Sequence, residues 1–306
     1  MGAVSTATLL AAASLVPTVH RPARPVTPPP AHVLWQYQLQ AVPGRADAAT
    51  GGIDLSLCAR TGSSCARPAV YDIDLYGPNG KTPNAAAVTA IRRAGGYAIC
   101  YVDAGTWENW RPDAKMFPHS LLGLSNGWPG ERWLDIRRPS RVLPLMAARV
   151  AKCARAGFQG VEFDNVDAYA NRTGFQITFG EQLRYNRDLA RLAHRDGLAA
   201  GLKNDYGQVR QLVGDFNFAV DEQCVQYREC RLLRPFVAAG KAVFDVEYRL
   251  PPSSFCRPAE AAGVSAIFKS LALWPRPWAP CMPATRPAAP SRARVLSETG
   301  HRLSGR

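Results

Sequence analysis

The stretch GVEFDNVDAY, residues 160–169, begins like a buried β-strand and then carries three carboxylates, Glu162, Asp164 and Asp167. Short apolar runs with β-branched and aromatic residues are typical of strands inside a parallel sheet. Charged side chains are rarely buried without a partner, so a run of carboxylates marks the point where a strand leaves the core. The stretch therefore predicts a strand that ends in a polar tip.

The same order of elements recurs along the chain: a β-rich run, a polar tip and a helix-like stretch with apolar residues three and four positions apart. Eight such alternations over about 250 residues are what a (β/α)8 barrel requires, so we predict an α/β fold, a single-domain (β/α)8 TIM barrel. A doubly wound open sheet is the alternative, but the glycine-rich phosphate turn that favours it is missing after the first run. The eight runs are VLWQYQL (33–39), VYDIDLY (70–76), YAICYVDAG (97–105), GVEFDNVD (160–167), LAAGLKND (198–205), FAVDEQC (218–224), AVFDVEY (242–248) and SAIFKS (265–270).

The two ends of the chain differ in composition from the barrel domain, which is predicted over residues 33–281. Residues 1–19, MGAVSTATLLAAASLVPTV, are apolar and alanine-rich, which is typical of a signal peptide. Residues 20–32 are Pro-rich and predict an extended linker, and residues 282–306 predict a disordered basic tail. The protein is expected to be secreted, without a stable membrane span, because Ser and Thr interrupt a short apolar run.

The cysteines also indicate an oxidising compartment, because the chain has eight of them, an even number. Cys100 and Cys153 lie in strand-like and helix-like segments and are either free core thiols or a fourth disulfide. A zinc site is not favoured, because no CxxC pair and no histidine at ligand spacing accompany the cysteines. The other six predict three local disulfides: Cys58 with Cys65, Cys224 with Cys230, and Cys256 with Cys281.

The formal net charge of +13 raises the question of nucleic-acid binding. Residues 282–306 hold five Arg and one Glu, and residues 1–32 hold two Arg. The remaining body has 30 basic and 23 acidic residues, a net charge of +7, with no Lys/Arg run interleaved with aromatic residues. We therefore expect no nucleic-acid partner.

The polar tips of the eight runs are expected to meet on one face, because the carboxyl ends of barrel strands and their loops share that face. Six of the eight tips carry a carboxylate. Like charges crowded on one face repel each other unless a ligand or a basic group offsets them, which predicts a functional cleft. The tip residues are Gln36, Gln38, Asp72, Asp74, Asp103, Asp164, Asp167, Lys203, Asn204, Asp205, Glu222, Glu247, Tyr248 and Lys269.

Paired carboxylates without a Ser/His or Cys/His arrangement favour glycoside cleavage, in which one carboxyl group protonates the departing oxygen and the other attacks or activates water. The aromatic residues Tyr101, Trp107, Trp110 and Tyr169 lie near the tips, where they either stack on sugar rings or pack in loops. A barrel metalloenzyme needs inward-facing histidine ligands, and the body holds few histidines. We therefore predict neither a metal nor a cofactor.

Six motifs, in this order, resemble the TIM-barrel domain of glycoside hydrolase family 114, the endo-α-1,4-polygalactosaminidases. The resemblance covers residues 33–281 and implies a secreted, endo-acting hydrolase that cuts α-1,4-linked galactosamine polymers, as in galactosaminogalactan, without a cofactor. The expected partner is therefore a cationic polysaccharide, which a cleft rich in Asp and Glu would hold. The motifs are YVDAGTWENWRPD, WPGERWLDIR, GVEFDNVDAY, GLKNDYGQV, AVDEQC and FDVEY.

The resemblance also implies a catalytic pair, an Asp in the strand-four motif and a Glu in the strand-six motif, which fall on Asp164 and Glu222. We expect Asp164 to act as nucleophile or base and Glu222 as general acid, with Glu247 as the alternative second carboxylate. The family commonly has Asn at the position of Asp221, whose side chain should point to the opposite face from that of Glu222.

Two other functions stay open: a glycosidase of the same fold that acts on another, acetylated or neutral, polysaccharide, and a carbohydrate-binding barrel without catalysis. The protein is expected to be a monomer. The predicted substrate-binding residues are Asp72, Asp74, Tyr101, Asp103, Trp107, Asp167, Tyr169, Lys203, Asn204, Asp205 and Tyr248.

Overall fold

The computed structural model of the protein describes residues 25–41 and 48–282. Eight parallel strands form one sheet in which each strand pairs with the next in chain order. The Trp35 indole N–H donates a hydrogen bond to Ser265 O over 2.9 Å and joins the first strand to the eighth. The sheet is therefore a nearly closed barrel, and the predicted single-domain (β/α)8 TIM barrel is confirmed. The strands are β1 (Trp35–Gln38), β2 (Val70–Asp74), β3 (Tyr97–Asp103), β4 (Gly160–Asp164), β5 (Ala199–Lys203), β6 (Phe218–Glu222), β7 (Ala242–Glu247) and β8 (Ser265–Phe268).

The helices cross the outside of the barrel between successive strands. The Thr178 hydroxyl accepts from Glu181 N and the Glu181 carboxylate accepts from Thr178 N, a capping box that fixes the start of one helix. The α-helices are α1 (Ala85–Arg93), α2 (Pro139–Ala156), α3 (Phe179–Arg195), α4 (Val209–Leu212), α5 (Arg234–Ala238) and α6 (Pro252–Ala262), and the 3₁₀ helices are Ala114–Met116, His119–Leu121, Ala168–Ala170, Tyr206–Gln208 and Cys230–Leu233.

Two short hairpins and one further strand lie outside the eight-stranded barrel. The hairpin Ala59–Thr61 with Ser64–Ala66 lies between β1 and β2. The hairpin Thr106–Glu108 with Glu131–Trp133, called the wall hairpin below, follows β3. The strand Ala279–Pro280 runs antiparallel to β8. The wall hairpin lies at the carboxyl end of the barrel, where the predicted site residues are.

Side chains alternate between two buried layers along each strand. The inner layer holds aromatic residues such as Trp35, Phe218 and Phe244, while Val161 and Phe163 belong to the layer between the strands and the helices. Gly201 leaves room for this inner layer, because a Cβ there would come within 2.3 Å of the Phe218 ring. The parity of a residue within its strand therefore decides whether its side chain points into the barrel or towards the helices.

Four disulfides pair all eight cysteines. Cys58–Cys65, Cys224–Cys230 and Cys256–Cys281 confirm the three predicted local bridges. Cys100 on β3 and Cys153 on α2 form the fourth, which decides between the two alternatives left open for them. Disulfides of this number fit an extracellular protein.

The N-terminal segment packs on the barrel before the predicted start of the domain at Val33. Val26 and Ala31 contact the inner hydrophobic layer, and the Tyr97 hydroxyl donates a hydrogen bond to Thr27 O over 2.7 Å. Tyr97 is the first residue of β3, so this segment lies at the amino ends of the strands. Residues 25–32 of the predicted linker are thus in contact with the barrel, whereas the predicted signal peptide and residues 283–306 lie outside the described residues.

Within the described ranges, no helix is long and apolar enough to span a membrane.

Candidate active site

Three neighbouring strands end in charged side chains at the same edge: Asp164 ends β4, Lys203 ends β5 and Glu222 ends β6. The residue that follows each of them has a left-handed backbone, which is uncommon for residues other than glycine. The chain thus turns away directly after each strand and leaves the charged side chain at the rim. The three turn residues are Asn165 (φ 59°), Asn204 (φ 51°) and Gln223 (φ 59°).

Lys203 connects the two carboxylates of the predicted catalytic pair. Its ammonium nitrogen lies 3.0 Å from Asp164 Oδ1 and 3.2 Å from Glu222 Oε2. These two carboxylate oxygens are therefore no more than 6.2 Å apart, the sum of the two distances. Because opposite charge favours the ionised form of a carboxyl group, a buried lysine between two carboxylates offsets their mutual repulsion.

Asp164 is surrounded by hydrogen-bond donors. The Tyr101 hydroxyl donates to Asp164 Oδ2 over 2.6 Å, and Asn165 N donates to Asp164 Oδ1 over 2.9 Å. Burial by itself would raise the pKa of Asp164, but the Lys203 charge and these hydrogen bonds hold it below the ordinary value. The carboxylate is therefore ionised at neutral pH.

Glu222 is more open to solvent than Asp164, with 32% of its side chain exposed against 15%. The Tyr248 hydroxyl donates to Glu222 Oε1 over 2.5 Å. Glu222 N donates to Asn204 Oδ1 over 3.1 Å, which fixes the end of β6 against the end of β5. The glutamate is thus held from one side and accessible from the other.

A second pair of carboxyl groups, Asp72 on β2 and Glu162 on β4, lies fully buried inside the barrel beneath Lys203. Glu162 Oε1 accepts a hydrogen bond from the Tyr37 hydroxyl over 3.1 Å and lies 3.6 Å from Lys203 Nζ. Neither oxygen of Asp72 nor Oε2 of Glu162 receives a hydrogen bond from a described residue, so burial and the neighbouring carboxyl group govern the charge of Asp72. Burial, and then the charge of Glu162, raise the pKa of Asp72 well above its ordinary value, and burial raises that of Glu162 to about 7.

A central cavity of about 430 Å³ opens above these groups, and a second cavity of about 400 Å³ adjoins it and shares Asp167, Asn204 and Glu222. Tyr169 and Asp205 line the second cavity, where the Tyr169 hydroxyl donates to Asp205 Oδ1 over 3.1 Å. The structure therefore brings ten of the predicted residues to one connected cleft. Those that line the central cavity are Asp74, Tyr101, Asp164, Asp167, Lys203, Asn204, Glu222 and Tyr248.

The sequence profile of glycoside-hydrolase family GH114 matches residues 17–285, most of the chain. The chain belongs to family GH114. Its structure is similar to that of Aspergillus fumigatus Ega3 in complex with galactosamine, with 30% identity, a TM-score of 0.67, and 82% of this chain and 97% of that chain covered. The predicted family is thus confirmed, and this protein is a glycoside hydrolase.

The fold of this GH114 hydrolase is also similar to that of the glycoside hydrolase domain of PelA from Pseudomonas aeruginosa. That comparison has 14% identity and a TM-score of 0.55, and it covers 80% of this chain and 96% of that chain. No curated protein sequence compared with the chain gave a significant match.

Two further predicted residues of the GH114 domain hold loops at the rim. Asp103 accepts hydrogen bonds from Thr106 N over 2.7 Å and from Asn165 Nδ2 over 2.9 Å. Trp107 donates through its indole N–H to Ala114 O over 2.9 Å and packs against the outer core. Both side chains support the loops that surround the cavity.

Glu247 lies on the other face of the barrel wall. In the register of β6 with β7, Glu222 pairs with Val246, so the next side chain of β7 points towards the helices. Glu247 Oε1 accepts hydrogen bonds from Val225 N over 2.9 Å and from Gln226 N over 3.1 Å. It supports the loop that follows Glu222, so the structure separates this alternative carboxylate from the pair. Asp221 also points outward, as predicted.

The sequence analysis missed several residues of the GH114 cleft. Tyr37 points inward, and strict alternation along β1 would have found it. Glu162 was counted among the carboxylates at the strand end, but it points inward and is fully buried, so β4 leaves the core only after it. Arg111 ties the wall hairpin to β2, because it contacts Asp74 at 2.8 Å and Glu108 at 2.6 Å. The wall hairpin also brings Trp128 and Glu131 to the central cavity, and the pattern of strands and tips does not predict this.

One group of carboxylates in the described residues has oxygens close enough together to hold a metal ion: Asp103, Glu108 and Glu131 lie with ligand atoms within 4.8 Å of one another. These oxygens already accept hydrogen bonds within the protein. The Thr106 hydroxyl lies within hydrogen-bond distance of both Asp103 and Glu131 and has one proton to give, and Arg111 donates to Glu108. Protein donors therefore satisfy the group in part.

Proposed function

We propose that this family GH114 protein is a secreted, endo-acting hydrolase of α-1,4-linked galactosamine polymers, with Asp164 and Glu222 as its catalytic pair. The observation that carries the proposal is the contact of one buried ammonium, that of Lys203, with both carboxylates at 3.0 and 3.2 Å. This contact holds the two carboxylates close together in the cleft. Glycoside cleavage needs two such groups, one on each side of the bond that is cleaved.

The two carboxylates differ in exposure, 15% of the Asp164 side chain against 32% of that of Glu222, and this difference supports different roles. Asp164, held ionised by Lys203 and Tyr101, attacks the anomeric carbon as Glu222 gives its proton to the departing glycosidic oxygen. The bond between that carbon and the departing oxygen breaks, and an ester forms between the sugar and Asp164. Glu222, now a carboxylate, takes a proton from water, whose oxygen attacks the same carbon and releases Asp164.

The distance between the carboxylates supports retention of anomeric configuration. The upper limit of 6.2 Å between their facing oxygens is compatible with the separation of about 5–5.5 Å between the carboxyl groups of retaining enzymes. Retention predicts that the first product has the α configuration, which proton NMR of a fresh reaction measures. A first product in the β configuration would contradict the covalent step.

The polymer and the internal position of cleavage are supported by the charge and shape of the cleft. Asp74, Glu131 and Asp167 line the central cavity besides the pair, which suits a cationic polymer. Cavities of about 400 Å³ adjoin it, one sharing Glu222 and the other sharing Asp74, so a chain can extend past the pair in both directions. The similarity to Ega3 in complex with galactosamine adds to this reading.

Secretion is supported by the four disulfides, which are typical of oxidising compartments. Detection of the mature protein in the culture medium, without residues 1–19, is the expected result. Retention of the intact N-terminus inside the cell would contradict it.

The test of activity is the release of new reducing ends from partly deacetylated α-1,4-galactosaminan by the full chain. Glu222→Gln should lower the rate by about 10²–10⁴, the usual contribution of a general acid or base, and Asp164→Asn, which removes the nucleophile, by at least as much. Glu247→Gln is the matched control and should keep most of the activity. Polymer binding without cleavage would favour a non-catalytic barrel, and activity that rises with acetylation would favour another polysaccharide.

A further inference from the structure

Two tryptophans of the cleft are unusual because their large apolar rings are half exposed. Trp110 is 51% exposed and Trp128 is 53% exposed, and both line the central cavity together with Asp164 and Glu222. The cavity's tyrosines differ from them, since Tyr101 and Tyr248 are used through their hydroxyls as donors to the catalytic pair. Exposed aromatic rings on the wall of a sugar-binding cleft are available to stack on a ligand.

The wall hairpin holds both tryptophans on a fixed support. Asn109 N donates to Gly130 O over 3.0 Å, and Glu131 N donates to Trp128 O over 3.1 Å. Gly130 has a φ of 86°, and a Cβ at this position would come within 2.9 Å of the Trp110 ring. The ring of Trp110 therefore packs closely over the turn that carries Trp128.

Buried ion pairs fix this support to the barrel. Arg111, next to Trp110 in the chain, contacts both Asp74 at the end of β2 and Glu108 of the wall hairpin. Arg149 on α2 contacts Asp113 through two of its nitrogens at 2.8 Å. The two indole rings are thus presented to the cavity before any ligand arrives, which lowers the entropy cost of binding.

Glu131 adds a carboxylate to the same wall. One of its oxygens accepts hydrogen bonds from Asn126 Nδ2 over 2.5 Å and from Thr106 Oγ1 over 3.1 Å. Among the described residues it forms no salt bridge, unlike Glu108 beside it, so its charge is available to a cation in the cavity. Burial raises the pKa of Glu131, and a bound cation would lower it again.

The combination of aromatic faces and a carboxylate suits a sugar that carries an ammonium group. Ammonium groups bind over tryptophan faces more strongly than over other aromatic rings, and a carboxylate supplies the opposite charge. A third cavity of about 400 Å³ continues past Trp110 and shares Asp74 and Arg111 with the central cavity, which leaves room for further sugars.

We propose that Trp110, Trp128 and Glu131 form a binding subsite for a protonated aminosugar residue of the polymer, beside the residue that is cleaved. The proposal rests on the proposed function, because it assigns a position in the cleft to the same class of substrate. It makes the wall hairpin the part of the enzyme that distinguishes deacetylated from acetylated sugar at this position.

The first test is binding, measured by isothermal titration calorimetry with deacetylated α-1,4-galactosamine oligomers and the full chain carrying Glu222→Gln. In this background Trp128→Ala, Trp110→Ala and Glu131→Gln should each weaken binding about tenfold. Glu131→Gln should leave the binding of N-acetylated oligomers unchanged. Met116→Ala, an exposed apolar side chain outside these cavities, is the control and should bind as the Glu222→Gln chain does.

The second test is kinetic and uses the chain with Glu222 intact. Each subsite variant should raise KM for deacetylated oligomers about tenfold, with kcat changed less than about twofold, because the subsite binds substrate and transition state alike. Unchanged binding and KM in all three variants would overturn the subsite while leaving the proposed function standing. If Glu131→Gln weakened both kinds of oligomer equally, the recognition of the ammonium group would be wrong. Failure of the intact chain to cleave any galactosamine polymer would instead remove the proposed function.

Discussion

The carboxylates at the ends of β6 and β7 belong to two groups that face opposite sides of the barrel wall. Glu222 points inward, where Lys203 and the Tyr248 hydroxyl contact it. Asp245 and Glu247 point outward, where they accept hydrogen bonds from backbone amides of residues 224–226. Carboxylates at the same ends of neighbouring strands therefore have different roles: those that point inward line the cleft, and those that point outward hold the following loop. Whether the position is odd or even within its strand determines the direction.

The two groups also differ in what offsets their charge. On the inner side a lysine ammonium contacts three carboxyl groups, while within the described residues the outer side chains of Asp221, Asp245 and Glu247 receive no such cation. Asp221 has no donor to either oxygen among these residues, and burial and then the charge of Asp245 raise its pKa. Charge on the inner side is compensated, whereas on the outer side burial suppresses it.

After the substitutions of the pair itself, the largest expected effect comes from removing the inner cation with Lys203→Met. We expect kcat to fall about a hundredfold, comparable to the loss of one charge-stabilising donor in other active sites. Lys203 holds the pKa of Asp164 down, so without it that pKa rises and the carboxylate is protonated at a higher pH. The acid limb of the kcat/KM profile should therefore move to higher pH, and a profile that keeps its position would contradict the role of Lys203.

An outer carboxylate should affect stability more than chemistry. Glu247→Ala removes the acceptor of two backbone amides and should cost about 2 kcal/mol of unfolding free energy, or several degrees in Tm. Glu247→Gln keeps an acceptor oxygen and should restore most of this loss. Thermal unfolding measures both, and a shift of the pH profile in either variant would mean that Glu247 takes part in the reaction.

The buried Asp72–Glu162 pair predicts a pH-dependent stability. The pKa of Glu162 is raised to about 7, so the folded state binds this proton more tightly than the unfolded state does. As pH rises from about 4.5, the ordinary value, to about 7, Glu162 ionises in the unfolded state but keeps its proton in the folded state, so the free energy of unfolding falls. The difference in Tm between Glu162→Gln and the unmodified protein should therefore grow as pH rises across this range and stay constant at higher pH. The control is Glu260→Gln at an exposed position, and an equal pH dependence in both variants would contradict the prediction.

The smallest effect is expected at Asp221. Asp221→Asn removes a buried acidic group that has no donor among the described residues, and should raise Tm by a degree or two near neutral pH. Activity should stay within about twofold, because the side chain points away from the cleft. A large loss of activity would mean that the two sides of the wall are coupled through Glu222.

The eight strands could be predicted because each is a short apolar run that ends in a polar tip, and the resemblance to the family then placed the proposed catalytic pair on two of these tips. The polar tips do not distinguish the inward from the outward face of a strand. They therefore group Glu247 with Glu222, and they include Gln36 although Tyr37 is the residue that points inward. The contribution of Trp128 and Glu131 depends on the folding of the wall hairpin, whose loop has no periodic pattern. The packing of Val26 on the inner core is likewise a tertiary contact that a Pro-rich composition does not indicate.

The left-handed turns after β4 and β5 limit which sequences can maintain this rim. Asn165 donates to Asp103 of β3, and Asn204 accepts from Glu222 N of β6, so each asparagine both turns its own strand and holds a neighbouring strand. Glycine would allow the turn but lacks the amide group, aspartate would add a negative charge to an acidic cleft, and alanine would supply neither. These two partly exposed loop positions are therefore expected to tolerate fewer substitutions during evolution than the leucines and valines of the core, which can exchange with one another.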